Sequence, residues 1–221
     1  MMDHDRMRRA LTLWYPVALF VAAAAISALV FRRLPERMAV HWDMQGAPNG
    51  WMSRQLGAFV TPMIGLVVWG TLRVAPGLDP RRAQFAPFRQ AYDMTVAAVL
   101  TLVFATHLIV LALALGYPVP VARIVPVLAG SLFIVAGNVM PLARPNFLFG
   151  VRTPWTLASE HVWARTHRLA GFTMTGAGSV MILAGTVLPT DLSIPIIIGA
   201  SVASLVGPVV YSYLTWRRQP K

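Results

Sequence analysis

At 221 residues, 57% hydrophobic and only 12% charged, with a mean hydropathy of +0.61, the chain falls outside the soluble globular range, in which about a quarter of residues are charged. Its net charge of +11 does not make it a direct nucleic-acid binder, because the arginines come in small groups between apolar runs, without the basic face or aromatic groove that tracks phosphates. The lack of cysteine excludes disulfides and thiolate metal sites, and the composition is that of a membrane protein.

The first apolar run, about Thr12 to Phe31, follows Arg6, Arg8 and Arg9 in the manner of a signal peptide. It is about 20 residues long, which spans a bilayer and exceeds a signal h-region, so it reads as an uncleaved first helix. Five further runs, at about Leu56 to Val74, Tyr92 to Leu115, Val121 to Leu142, Leu169 to Leu188 and Ile194 to Trp216, are unbroken and lack the alternation of a membrane barrel. The expectation is an all-α integral membrane protein of six transmembrane helices. It divides as residues 1–60, 61–120 and 121–221.

Lysine and arginine set the expected orientation. The N-terminus, the second and fourth connections and the tail, from Arg6 to Lys221, carry fourteen of the nineteen. The alternate connections hold Arg32, Arg33, Arg37, Arg54 and Arg123. Both termini and the fourth connection are therefore expected in the cytoplasm, with the protein in the cytoplasmic (inner) membrane. Gly199, Ala203 and Gly207 recur every fourth residue, and Gly171, Gly178 and Gly185 every seventh with Thr175 between, which predicts close helix approach. Pro62, Pro126 and Pro208 predict kinks.

The connection between the first two runs, Leu34 to Trp51, places Val40 and Trp42 about His41 in a short extended piece, followed by the turn formers Gly46 to Gly50. A small outward-facing strand and turn is expected. His41, Trp42, Asp43 and Asn49 are its candidate binding residues, and Trp14, Trp42 and Trp51 suit the interfacial belt. His41 and Asp43 alone are too few for a metal site. Within the membrane runs His107 stands near a run centre without a partner carboxylate, and a bond to a neighbouring carbonyl accounts for it. Asp93 and Arg73 lie near run ends, within reach of the interface.

The fourth connection, Gly137 to Gly171, is the most polar and is shaped by Arg144-Pro145-Asn146 and Arg152-Thr153-Pro154-Trp155. Ser159 and Glu160 read as a helix N-cap and acidic first turn. Trp163, Thr166, His167 and Ala170 then share one face leading into the fifth run. Candidate binding residues of this cap are Asn138, Asn146, Arg152, Trp155, Glu160, Trp163, His167 and Arg168. Pairing among Arg152, Glu160 and His167 is expected, and Arg152, Trp155, Glu160, Trp163 and His167 are expected in one cluster. No zinc-protease, serine-elbow or phosphate-loop spacing is present, so no cofactor, metal or catalytic residue is assigned.

The residues Gly137-Asn138, Pro141, Pro145-Asn146, Gly150, Arg152 to Leu157, Ser159, Val162-Trp163, Thr166-His167-Arg168 and Gly171 resemble the signature of the SdpI family, named for the immunity protein against a sporulation-delaying peptide toxin. Leu34-Pro35, Val40-His41-Trp42, Gly46 and Pro48 resemble the small domain of unknown function that often precedes it. Asn49 stands where that pattern has Asp. The resemblance implies a polytopic membrane protein that gives resistance to a secreted membrane-active peptide. It also implies signalling, by holding a winged-helix repressor at the membrane. Two other readings compete: a membrane hydrolase or transferase acting on anionic lipid or polyprenyl phosphate through Glu160, His167 and the arginines, and a small transporter with His107 and Asn138 lining a path.

Overall fold

The computed structural model describes residues 10–219. Arg6, Arg8, Arg9 and Lys221, which enter the charge count, lie outside them. The chain is mostly helical: α1 is Tyr15–Val30, α2 Val60–Leu78, α3 Arg89–Ala114, α4 Val121–Val139, α5 Glu160–Val187 and α6 Thr190–Arg217. Strands β1, Arg37–Trp42, and β2, Pro48–Ser53, join α1 to α2.

Five helical stretches are long and apolar enough to cross a membrane: Thr12–Arg33, Arg82–Ala114, Val121–Leu142, Glu160–Val187 and Thr190–Arg217. The run expected to span at Leu56 to Val74 does fold as α2 but is not among them. Thr61, Thr71, Arg73, Pro62 and Pro76 dilute its apolar content. Leu29, Phe172, Leu183 and Val187 turn outward and are exposed, as suits helices in lipid. Several hydroxyls along the helices are satisfied locally: Thr106 donates to Leu102 O, Ser131 to Val127 O and Thr186 to Ile182 O. The protein is a multi-pass membrane protein.

Two compact units divide the chain. One comprises the chain up to Arg73 with Val96–Val125, and the other Val74–Thr95 with Pro126 onward. The core of the first is Leu34, Met38, Ala58, Val110 and Leu111, with Phe31, Val40, Trp42 and Phe59 packed on it. The β1–β2 hairpin is antiparallel, pairing Met38 with Met52, Ala39 with Trp51 and His41 with Gly50. The period of two sends Met38 inward, fully buried, and His41 outward. Gly46 turns the chain at φ +85°, a conformation open to glycine. Asp43 Oδ1 accepts the N–H groups of Gln45 (3.0 Å) and Ala47 (2.8 Å), an Asx-type turn lock.

His107 is buried in this unit, and Ser27 rather than a carboxylate is its partner. The Ser27 hydroxyl donates to Ala58 O at 2.7 Å, so it accepts from His107 Nε2 at 3.1 Å. That leaves Nε2–H pointing also at Ala23 O, 3.4 Å away.

In the second unit α5 and α6 form an antiparallel hairpin. The contacts Ser159–Gln219, Thr173–Ser204 and Met181–Ser201 run in opposite directions along the two helices. The expected small-residue approach occurs, but between α4 and α5. A Cβ on Gly130 would lie 2.6 Å from Gly178 O, and one on Gly137 2.8 Å from Gly171 O. Two glycine pairs at the same seven-residue spacing thus let the two backbones touch. Gly199 and Gly207 have nothing within 4 Å of such a Cβ, so the α6 glycine row does not serve as a packing groove. Pro62 lies in the first turn of α2, where a missing N–H costs little, while Pro76, Pro126, Pro195 and Pro208 lie within helices. Asp93 does not reach out to the interface. It is buried and pairs with Arg89 at 3.1 Å, one helical turn earlier.

Candidate functional site

Between α4 and α5 the chain makes a 3-10 turn at Met140–Leu142, a loop to Thr153, and a one-turn helix Pro154–Ala158. Such a loop carries backbone N–H groups with no helix to satisfy them. Five of them are accepted by side chains, Thr153 N–H by Thr156 Oγ1 at 2.8 Å within the cap that follows and four by residues from elsewhere in the loop and fold. Asn146 Oδ1 takes Leu148 N–H (2.8 Å) and Phe149 N–H (2.6 Å), Asp79 Oδ2 takes Phe147 N–H (2.8 Å), and His167 Nε2 takes Val151 N–H (3.0 Å). Asn146 Nδ2 also donates to Arg144 O at 2.7 Å and Phe149 O at 3.2 Å, so one fully buried side chain uses both ends to hold three residues, Arg144, Leu148 and Phe149.

His167 is held equally closely. Its Nδ1 lies 2.8 Å from Trp163 O, and a carbonyl only accepts, so Nδ1 carries the proton and Nε2 is bare to receive Val151 N–H. This pairing requires the neutral ring. The ring stacks on Trp163 with centroids 3.9 Å apart and an interplanar angle of 18°. Trp163 Nε1–H in turn donates to Ala143 O at 2.8 Å. Gly150, at φ +106°, passes directly under the imidazole, and a Cβ there would collide with Nε2. The glycine is therefore required both by backbone angle and by the histidine above it.

The lower end is closed by caps. Thr153 and Thr156 form a capping box, and Ser159 caps α5 by accepting Val162 N–H at 3.3 Å, with Glu160 in the first turn. Trp163, Thr166, His167 and Ala170 form the buried face expected of them.

The second connection supplies the parts that the sequence reading missed. Asp79 is buried, and besides Phe147 it accepts Arg81 N–H at 2.7 Å. Arg81 reaches Leu157 O at 3.2 Å and lies 5.0 Å over the Phe147 ring. Phe85, Phe88, Tyr92 and Phe149 form an aromatic cluster beneath, with centroids 5.0 to 6.2 Å apart. One signal was available: Asp79 is the single acid in an otherwise basic connection.

The expected cluster of Arg152, Trp155, Glu160, Trp163 and His167 is divided. Only Trp163 and His167 meet. Arg152 is exposed and donates to Phe147 O at 2.6 Å, without pairing with Glu160 or His167 among the described residues. His167 has no free nitrogen to offer a carboxylate, and Glu160, at the start of α5, points to solvent. Trp155 packs on Tyr213 and Trp216 and donates from Nε1 to Ser212 Oγ. Arg168 is exposed. Asn138 faces out from α4 and bonds its own helix at Ile134 O, 2.8 Å away, so it is not part of the cap. A groove of about 740 Å³ opens beside the cap, bordered by Gln84, Phe88, Met94, Arg144, Glu160 and Trp163.

In the hairpin His41 and Asn49 bond directly across the strands, Nδ1 to Oδ1. Both are exposed, as is Asp43, whereas Trp42 is half-buried against the core. No group of three or more metal-capable side chains occurs among the described residues.

Comparison with known proteins places these two regions. Residues 142–212 match the SdpI/YfhL protein family, and residues 18–66 match a domain of unknown function, DUF1648. The chain is 28% identical to "Immunity protein SdpI" of Bacillus subtilis (strain 168) over 155 residues, 70% of this chain and 72% of that protein. No solved structure matches. The resemblance read from the motifs is therefore borne out: the chain carries an SdpI segment behind a DUF1648 segment.

Proposed function

We propose that the protein gives its host immunity to a secreted membrane-active peptide, acting in the cytoplasmic membrane with both termini inside. One correspondence carries this reading. The two matched segments coincide with the two shaped connections: 18–66 encloses the whole β1–β2 hairpin, and 142–212 opens on the templated loop and continues through α5 into α6. The relative matched over most of both chains is an immunity protein.

In this reading the hairpin faces outward, with α2 as a sixth span, and its exposed His41, Asp43 and Asn49 meet the peptide. The arginine distribution supports that orientation. The cap faces the cytoplasm. Its buried residues hold the loop, and its exposed Arg152 and Arg168 with the partly exposed Trp155 offer a surface to a winged-helix repressor. The hydrolase alternative loses support, because both nitrogens of His167 are engaged with backbone.

Expression in a toxin-sensitive host tests the immunity reading. Survival under peptide challenge is expected to rise well above the empty-vector control. Unchanged survival at confirmed membrane expression would contradict it. For the repressor, pull-down is expected to fail after Arg152→Ala with Trp155→Ala, and capture that persists would remove the cap from signalling.

A further inference from the structure

The start of α5 and the end of α6 face one another because the two helices are antiparallel neighbours. On α5, His161 and Arg165 are one turn apart. On α6, Tyr211 and Thr215 are likewise one turn apart, so each pair lies on one helical face, and Arg218, the C-cap residue of α6, follows three residues on. These five side chains and Gln219 line a concavity of about 390 Å³. Gln219 Nε2 donates to Ser159 Oγ at 2.9 Å, tying the end of α6 to the N-cap of α5. The walls are therefore fixed to each other by more than helix packing.

The lining is chemically one-sided. Each of the six side chains can donate hydrogen bonds, two are guanidinium groups, and no carboxylate is among them. A solvated basic helix end needs only scattered arginines. A concave site with two guanidinium forks, a phenol, a hydroxyl and an imidazole matches the several oxygens and negative charge of a phosphate group. The depth of the site is marked independently. Trp155, Tyr213 and Trp216 form an aromatic triplet at the same end of α6, with centroids 5.3 to 6.2 Å apart, the residue types that settle at headgroup level.

We propose that this concavity binds the headgroup of an anionic phospholipid, with Arg165 and Arg218 taking the phosphate. The site is separate from the templated loop and independent of the immunity reading. The test uses the full chain purified in detergent and titrated with phosphatidylglycerol or phosphatidylcholine, with bound lipid counted by native mass spectrometry. Phosphatidylglycerol is expected to bind the more tightly, and Arg165→Gln with Arg218→Gln to weaken it about 25-fold, about fivefold per arginine. Arg32→Gln with Arg33→Gln removes the same charge from two exposed arginines that do not line the concavity, and should change it less than about twofold, as expected for solvent-screened charges. Tyr211→Phe removes one hydroxyl without removing charge, and should weaken phosphatidylglycerol severalfold even if the arginine variant fails to fold. Equal binding of the two lipids, an equal loss in the Arg32/Arg33 variant, or no loss in both the Arg165/Arg218 and Tyr211 variants would overturn the proposal. Inorganic phosphate binding as tightly as phosphatidylglycerol would assign the site to a free anion and overturn the lipid.

Discussion

The hairpin of residues 37–53 and the loop of residues 143–153 are both polar connections in a membrane protein, but they spend their polar side chains differently. In the hairpin, backbone N–H groups bond mainly to backbone across the strands, and His41, Asp43 and Asn49 remain at the surface. The loop has no strand partner, so Asp79, Asn146 and His167 are turned inward to accept its N–H groups. Buried polar groups are costly when unmatched. The same residue types that suggest ligand contact are thus accessible in one region and structural in the other.

Substitutions can break this contrast, beginning at the hub. Asn146→Ala removes the acceptor of two loop N–H groups and both Nδ2 donations from a fully buried position, and should destabilise the protein by about 3 kcal/mol or more, read as a loss of thermal stability in detergent. Gly150→Ala should cost about 2 to 3 kcal/mol, since it forces an L residue to φ +106° and drives Cβ into His167. Trp163→Phe keeps the stack on His167 but leaves Ala143 O unmatched, for about 1 kcal/mol. The smallest effect belongs to the hairpin. His41→Ala should change stability by no more than about 0.5 kcal/mol while lowering peptide resistance, because its bond to Asn49 is exposed to solvent. A large stability loss for His41→Ala, with Asn146→Ala tolerated, would invert the contrast.

Much of this was legible in the sequence because it is local. Helix positions follow from apolar run length, the α5 start follows from Ser159 and Glu160, and the hairpin follows from the turn formers after Trp42. The buried face of Trp163, Thr166, His167 and Ala170 follows from helical period. What periodicity cannot supply is the partner across the fold. Arg152 and Glu160 carry complementary charge and lie close in sequence to His167, yet His167 engages both nitrogens with backbone as a neutral ring, so no ion pair forms with it. Asp79 lies 68 residues from Phe147, and no local pattern links them. The glycines of α4 gained meaning only when Gly130 and Gly137 met Gly178 and Gly171. The modest apolar content of α2 is written in Thr61, Pro62, Thr71, Arg73 and Pro76, but run length alone reads through them.

Amide hydrogen exchange on the full chain in detergent tests the central claim, that side chains make the α4–α5 loop as rigid as a helix end. The N–H groups of Phe147, Leu148, Phe149 and Val151 are predicted to exchange as slowly as those in the first turns of α5, and Asn146→Ala should release Leu148 and Phe149 first. Exchange of these four at the rate of open, unbonded amides in the wild-type chain would contradict the account.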